Sequence, residues 1–137
     1  MLTGLLMSHN FIEIKPKNIY KPFGNYSHAI INKSSGLLTV SGQLGIDRNG
    51  KIPKLFSEQA ELCFSNINSI IEEANYDLSD IMKVTSYVTH RKYFNEYMNV
   101  RDKFFYNLKV KPTSTLLIVS GFTKENFFIE IEVIAQK

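Results

Sequence analysis

The spacing of apolar residues predicts a long amphipathic helix in the middle of the chain. The apolar positions recur at steps of three and four residues and are Ala60, Cys63, Phe64, Ile67, Ile70, Ile71 and Ala74. Ser57 is placed to cap the first turn, and Asn75 is placed to end the helix in the left-handed conformation. A second helix is predicted over residues 92–107.

Runs rich in β-branched and alternating apolar residues predict the strands. Residues 27–32 and 37–41 flank a Lys-Ser-Ser-Gly segment, which predicts a hairpin with Gly36 at positive φ. Further strands are predicted over residues 11–15, 81–89, 115–120 and 127–135. The resulting order is β, hairpin, α, β, α, β, β. It predicts an α+β domain with a mixed sheet and both helices on one face.

The last predicted strand indicates what covers the other face of the sheet. Alternate residues of a strand point to opposite faces. One set is wholly apolar: Phe127, Ile129, Ile131, Val133 and Ala135. The other set combines carboxylates with large apolar side chains: Phe128, Glu130, Glu132 and Ile134. Such a face suits neither a core nor free water, so we expect a subunit interface that contains a polar pocket.

The length and composition are those of one ordinary globular domain. The chain has 137 residues, of which 44% are hydrophobic and 21% charged. We expect residues 1–10 to form a poorly ordered extension and residues 11–137 to form the domain. No apolar run approaches the roughly 20 residues that span a bilayer, and the start lacks the basic region of a signal peptide. We therefore expect a cytoplasmic protein that does not bind membranes.

Charge and metal-ligating residues narrow the function further. The net charge is +3, but the lysines are scattered, whereas nucleic-acid binders concentrate basic residues on one face. RNA is therefore not an expected partner. The single cysteine, Cys63, lies in the apolar helical stripe and is interpreted as buried. His9, His28 and His90 lack the spacing of metal ligands, so no metal is expected.

Four segments together resemble the signature of the Rid (RidA/YjgF, reactive-intermediate deaminase) family, also called endoribonuclease L-PSP. They are Phe23–Ala29, Val40–Gln43, Val84–Val88 and Ile129–Ala135. The resemblance covers residues 11–136. It implies a chorismate-mutase-like fold, a homotrimer whose sheets close into a barrel, and clefts between subunits. Enzymatic members hydrolyse enamines and imines to 2-oxo acids and ammonia without a metal or organic cofactor. Other members have been described as ribonucleases, translation inhibitors or chaperones.

The resemblance also assigns candidate site residues. Glu130 matches a water-positioning carboxylate, and Tyr26 matches a tyrosine that packs against the substrate. Ser41 and Gly42 match the strand end that lines the cleft. Asn99 matches an asparagine on the second helix, with an alignment that can shift by a residue or two. A purely structural role stays open for each of them. Glu130 could form an interfacial ion pair, and Tyr26 could be an ordinary half-buried loop tyrosine. Ser41 and Gly42 could stand at a strand terminus that needs small residues, and Asn99 could simply face solvent. His28 is interpreted as structural.

The sequence departs from deaminating members at the residue that grips the substrate carboxylate. Those members carry an arginine directly after the Pro-x pair that opens the penultimate strand, and Ser114 stands at that position here. Truncating one partner of such a charge pair costs about 2–5 kcal/mol. Arg101 or Lys111 is a candidate substitute, although a lysine cannot reproduce the forked contact.

Three functions therefore stay open. The first is a deaminase of enamine or imine metabolites, a small-molecule hydrolase with Glu130 and Tyr26 as catalytic residues. The second is a small-ligand-binding or regulatory trimer that has lost the chemistry. It is favoured by the hydroxyls offered to a ligand by Thr113, Ser114 and Thr115. The third, an endoribonuclease or translation inhibitor, is disfavoured by the scattered charge and by the lack of a His-His or His-Lys pair.

Overall fold

The computed structural model describes residues 10–137. Apart from Asn10, the predicted N-terminal extension lies outside this range. The described part contains six strands and two α-helices: β1 Phe11–Ile14, β2 Ala29–Asn32, β3 Leu37–Leu44, α1 Phe56–Glu73, β4 Ile81–Val88, α2 Phe94–Phe104, β5 Thr113–Ile118 and β6 Ile129–Gln136. Short 3-10 turns at Leu78–Asp80 and Arg91–Tyr93 precede β4 and α2.

All six strands form one mixed sheet in the order β1-β2-β3-β6-β4-β5. The pairings are antiparallel except for β4 and β5, which run parallel and are joined through α2. Helix α1 packs against β3 and β6, and α2 packs against α1. Both helices therefore lie on one face, which confirms the predicted fold class. Within residues 10–137, no helix is long and apolar enough to cross a bilayer.

The core lies between the sheet and α1. The predicted apolar stripe of α1 is buried along its whole length, and Asn75 adopts a φ of 60° after the last turn, as predicted. The predicted start was wrong: α1 begins at Phe56, and Leu55 rather than Ser57 is the N-cap residue. Packing explains the shift, because the Phe56 ring is buried and stacks on Tyr93 with centroids 4.1 Å apart.

Other boundaries differ from prediction by a few residues. Helix α2 is shorter at both ends than residues 92–107. Strand β5 begins at Thr113 rather than Thr115, because it pairs with β4 from Lys83 onward. Phe128 precedes β6 and packs against Tyr93 and the core. Its predicted place beside Glu130 on the uncovered face was therefore wrong.

The rest of the predicted alternation along β6 is confirmed. Its inward residues Ile129, Ile131, Val133 and Ala135 are buried. The intervening Glu130, Glu132 and Ile134 are only partly exposed. They face away from the helices and form the uncovered face together with the outward residues of β4 and β5. On β5 this face includes Leu117, which is 47% exposed. The uncovered face is thus a mixture of carboxyl groups and apolar surface.

Candidate functional site

A β-bulge shapes the end of β3. The register between β3 and β6 shifts so that Ser41 and Gly42 stand opposite a single β6 residue, Glu132. The bulge is fastened to the preceding loop: Ser41 Oγ donates to the Ser27 carbonyl at 2.6 Å, and Ser41 N donates to the His28 carbonyl at 2.8 Å. The bulge therefore holds the loop that carries Tyr26 next to β6.

Gly42 provides room for the Glu130 carboxyl group. A Cβ atom at Gly42 would lie 2.6 Å from Cδ of Glu130 and 2.8 Å from its Oε1. Carbon atoms do not approach that closely, so any other residue would push Glu130 aside. The structure thus brings together two of the predicted site residues and gives a steric reason for the glycine.

Glu130 is a half-buried carboxyl group with a second carboxyl group nearby. Burial raises the pKa of Glu130, and the negative charge of Glu132 raises it further. Tyr87 stands opposite Glu130 on β4, and its hydroxyl donates to Oε1 of Glu132 at 2.6 Å. That hydrogen bond, with smaller contributions from burial and from both carboxylates, raises the pKa of Tyr87 to about 12. Glu130 is therefore the carboxyl group here whose pKa is raised, as is common for groups at functional sites.

Tyr26 lies near Gly42. It lines a narrow crevice together with Gly42, Phe23 and His28. Its ring is 47% exposed, and its hydroxyl accepts a hydrogen bond from Phe23 N at 3.1 Å. The hydroxyl proton is thus free for another acceptor. Tyr26, Ser41, Gly42 and Glu130 form one continuous group, which we call the carboxyl cluster.

His28 is engaged by its neighbours. Its Nε2 lies 2.8 Å from the Tyr20 carbonyl, and Gln43 Nε2 lies 3.4 Å from its Nδ1. Burial lowers the pKa of His28, although the Tyr20 carbonyl works in the opposite direction. A neutral ring that donates to Tyr20 and accepts from Gln43 satisfies both contacts. This geometry agrees with the structural role interpreted from the sequence.

Ser114 lines a separate cavity of about 460 Å³ between α2 and β5. We call it the arginine pocket, because Arg101 Nη1 donates to Ser114 Oγ at 3.3 Å. The Arg101 guanidinium lies 5.6 Å from the centroid of the buried Tyr97 ring. Its Nε and Nη2 donate to Asp102 Oδ1 at 2.9 and 2.8 Å. One guanidinium nitrogen is therefore aimed at the strand position where an arginine was expected.

Lys111, the other candidate cation, binds backbone carbonyls instead of pointing to Ser114. Its ammonium group donates to the carbonyls of Phe105, Tyr106 and Leu108 just after α2. These contacts satisfy carbonyls that the end of a helix leaves without partners. The sequence offered Arg101 or Lys111 as a substitute for the arginine expected at position 114, and Arg101 is the one that contacts Ser114.

The remaining predicted site residues lie apart from both groups. Thr115 stands beside Thr85 and Thr113 beside Lys83, so both point to the uncovered face, opposite to Ser114. Thr113 Oγ1 donates to the Met82 carbonyl at 3.0 Å. Asn99 is exposed on α2.

Within one chain, the carboxyl cluster and the arginine pocket do not share a cavity. Val84 on β4 pairs with Ser114 on one side and with Val133 of β6 on the other. Ser114 therefore lies two strands away from β6, level with a residue three positions beyond Glu130. From strand spacing and rise, the two positions are about 14 Å apart. Their side chains also point to opposite faces of the sheet. One chain therefore holds two separate halves of the predicted site.

Comparison with known proteins identifies the family. The model of the endoribonuclease L-PSP family matches residues 16–137. The chain belongs to this family. It is 36% identical over 126 residues to a RutC family protein of Aquifex aeolicus, covering 91% of this chain and 98% of the relative. The resemblance predicted from the sequence is confirmed.

Solved structures of L-PSP and Rid proteins share the fold. A Rid-family protein of unknown function from Yersinia pestis, YyfA, superposes with a TM-score of 0.86 at 26% identity, covering 93% of this chain and 99% of that one. TdcF of E. coli, crystallised with bound serine, gives a TM-score of 0.85 at 26% identity, covering 92% of this chain and 98% of that one. The L-PSP fold expected from the sequence is therefore established.

Two residues near the site of this L-PSP protein escaped the sequence analysis as functional candidates. Tyr87 was noted only as part of a family segment, and Glu132 only as part of a family segment and of an alternating strand. Their contact depends on the register between β4 and β6, which no local pattern reveals. Among residues 10–137, no group of His, Cys, Asp and Glu side chains is arranged to hold a metal ion.

Proposed function

We propose that the protein is a cofactor-free deaminase that hydrolyses reactive enamine or imine metabolites in clefts between the subunits of a homotrimer. The observation that carries the proposal is the half-buried Glu130 carboxyl group, which rests on Gly42 beside the Tyr26 crevice. The overall reaction consumes one water. The imine C=N bond is replaced by C=O, and the nitrogen leaves as ammonia.

Glu130 has the properties that this reaction asks of a general base and acid. As a carboxylate it takes a proton from the water that attacks the imine carbon, and as a carboxylic acid it returns the proton to the leaving nitrogen. A catalytic group works best when its pKa lies near the working pH. Burial, and then the Glu132 charge, move the pKa of Glu130 upward, in the required direction.

Tyr26, Ser41 and Gly42 suit substrate placement. The Tyr26 hydroxyl already accepts a hydrogen bond from Phe23 N, which leaves its own proton to donate to a substrate. Its exposed ring offers a flat apolar surface for packing. The bulge at Ser41 and Gly42 brings backbone close to the Glu130 carboxyl group. Positioning of this kind supplies much of the rate enhancement in hydrolytic enzymes.

A second subunit would complete the site. One chain separates the carboxyl cluster from the arginine pocket, and its uncovered sheet face exposes apolar side chains such as Leu117. Joining three such faces would bury this surface and could bring the cluster of one chain to the pocket of the next. The bound serine in the similar TdcF supports a small ligand that resembles an amino acid. The cytoplasmic location expected from the sequence stays a prediction.

Arg101 is the proposed anchor for the substrate carboxylate. Its guanidinium lies against Ser114, where deaminating relatives are expected to carry their arginine. Stacking over Tyr97 and the contacts with Asp102 hold the group in a fixed orientation. Nη1 of Arg101 and the Ser114 hydroxyl could together receive one carboxylate. Small-ligand pockets typically combine such a polar pair with apolar walls, here Phe105 and Pro112.

A ligand-binding trimer without catalysis is the second candidate. The Arg101–Asp102 ion pair favours it, because Asp102 already occupies two of the guanidinium N–H groups that a substrate carboxylate would want. In that case the pocket would take a neutral or hydroxyl-bearing ligand next to Ser114. An RNA-cleaving function has no comparable support from the described residues.

An assay coupled to a threonine dehydratase separates these functions. The dehydratase releases an enamine, and the rate of 2-oxobutanoate appearance is measured with and without micromolar protein. The deaminase proposal predicts acceleration by the wild-type protein and a loss of about 10²-fold or more in Glu130→Gln. Tyr93→Phe, a phenol change away from the cluster, should keep the wild-type rate. No acceleration by the wild-type protein would rule the deaminase out for this substrate class.

A further inference from the structure

Tyr87 and Glu132 lie next to Glu130 on the uncovered face of the sheet. Glu130 and Glu132 are two residues apart on β6, so their Cα atoms are about 7 Å apart and their side chains point the same way. Tyr87 is the β4 residue directly opposite Glu130, yet its hydroxyl reaches diagonally to Oε1 of Glu132 at 2.6 Å. The two carboxyl groups therefore have unequal surroundings.

The different surroundings of Glu130 and Glu132 decide which of the two carboxyl groups can exchange a proton. Glu132 accepts a short hydrogen bond from the Tyr87 phenol, which holds its carboxyl group in place. Glu130 rests instead against the backbone of Gly42, and burial disfavours its charged form. When the environments of two nearby carboxyl groups differ in this way, the buried one, here Glu130, is the group suited to carry the exchangeable proton.

Few other charged or titratable groups face this pair. Strand β4 contributes Lys83, and strands β3 and β5 contribute none within their bounds. The Cys63 thiol lies behind the sheet in α1, where burial, and then the Glu130 charge, raise its pKa. His28 lies beyond Gly42 in the Tyr26 crevice. The nearest titratable partner on the same strand and face as Glu130 is thus Glu132.

We infer that Tyr87 and Glu132 are positioning residues for the proposed reaction. The Tyr87 hydroxyl holds the Glu132 carboxyl group in place beside Glu130, and Glu130 is the member of the pair that takes up and releases the proton. The positioning role rests on the proposed function, but the effect of Tyr87 and Glu132 on the Glu130 carboxyl group can be tested without substrate. The proton moves from the attacking water to Glu130 and from Glu130 to the departing nitrogen, while the Tyr87 hydroxyl keeps its proton in the hydrogen bond to Glu132.

The test is a titration of the Glu130 carboxyl carbon by NMR in the full-length protein. The Glu130 signal is assigned as the one missing from Glu130→Gln. In Tyr87→Phe, Glu132 loses its anchor, and in Glu132→Gln the neighbouring charge disappears. Both variants should therefore lower the pKa of Glu130, which should still stay above its ordinary value because burial is unchanged. Tyr106→Phe, which removes an exposed phenol at the end of α2, should leave the titration as in the wild type.

An unchanged Glu130 titration in Tyr87→Phe would overturn the inference. If that variant does not fold, Glu132→Gln decides in the same way. A pH profile of kcat adds a readout that a purely structural role would not move: the acidic limb, where Glu130 becomes the carboxylate base, should shift to lower pH in both variants. Because the NMR titration needs no turnover, a shifted titration in a protein without deaminase activity would reject the proposed function and keep the pair arrangement.

Discussion

A side chain at Gly42 would collide with the carboxyl group of Glu130, because its Cβ atom would lie 2.6 Å from Cδ. This contact links the bulge in β3 to the central strand β6. It also ties the Tyr26 loop to the group that we propose exchanges protons. The position of Glu130 is therefore set by backbone, which is more rigid than a contact between two side chains.

Gly42→Ala should displace Glu130 and weaken both stability and activity. Overpacking a core costs about 1–3 kcal/mol of unfolding free energy, and the loss here should lie at the low end because the colliding group is the end of a flexible side chain. Urea unfolding and the coupled deaminase assay measure the two effects. Gly24→Ala is the matched control, because its Cβ would meet only the Tyr26 ring at 3.7 Å, an ordinary contact. A Gly42→Ala protein with wild-type stability and rate would show that Glu130 is not held by this contact.

Glu130→Gln should change stability in a pH-dependent way. The folded protein raises the pKa of Glu130 above its unfolded value. The stability that protonated Glu130 contributes is therefore fully present below its pKa in the unfolded chain. It is lost as pH rises through the pKa of Glu130 in the folded protein. Glutamine stays neutral, so the variant should gain stability relative to the wild type as pH rises through that window.

Unfolding free energies measured at a series of pH values test this. Glu125→Gln, which removes a charge from an exposed loop residue, controls for the change in net charge. If the difference between Glu130→Gln and the wild type is the same at every pH, Glu130 is not the perturbed carboxyl group.

Arg101→Ala should remove the carboxylate anchor. Losing one partner of a hydrogen-bonded charge pair costs about 2–5 kcal/mol, so kcat/KM for a 2-imino acid should fall by about 30-fold or more. Ser114→Arg in the Arg101→Ala background should restore part of the loss, since it returns a guanidinium to the same pocket from the strand. Equal losses for a substrate without a carboxylate would argue against an anchoring role.

Asp102→Asn should strengthen binding of a carboxylate ligand. Asp102 holds two N–H groups of Arg101, and Asp102 is 68% exposed, so its removal frees the guanidinium at little structural cost. Calorimetric titration with a 2-oxo acid measures the effect, and a lower Kd is expected. Weaker binding by Asp102→Asn would mean that the ion pair orients Arg101 rather than competing for it.

Local patterns were enough to predict the main elements of the fold. The three- and four-residue spacing in α1 and the alternation in β6 follow directly from burial on one face, and both are confirmed. Boundaries were less accurate where packing decides them. Phe56 extends α1 because its ring stacks on Tyr93, a partner 37 residues away in the printed sequence.

The site was predictable as a set of residues but not as an arrangement. Glu130, Gly42 and Tyr26 were named from the resemblance, whereas the bulge that brings Gly42 under Glu130 depends on the register of β3 against β6. The same holds for Tyr87 and Glu132, which meet only through the pairing of β4 with β6. Contacts between distant segments are set by the whole fold, so the sequence could not supply them.

In the proposed trimer, the carboxyl cluster of one chain works with the arginine pocket of another. Subunit mixing tests it directly. Glu130→Gln and Arg101→Ala are each expected to be nearly inactive alone, because every cleft then lacks one group. After the two variants are unfolded together and refolded, some clefts would combine an intact Glu130 with an intact Arg101. Deaminase activity is expected to return in the mixture, whereas a mixture no more active than the separate variants would show that the two groups do not act across subunits.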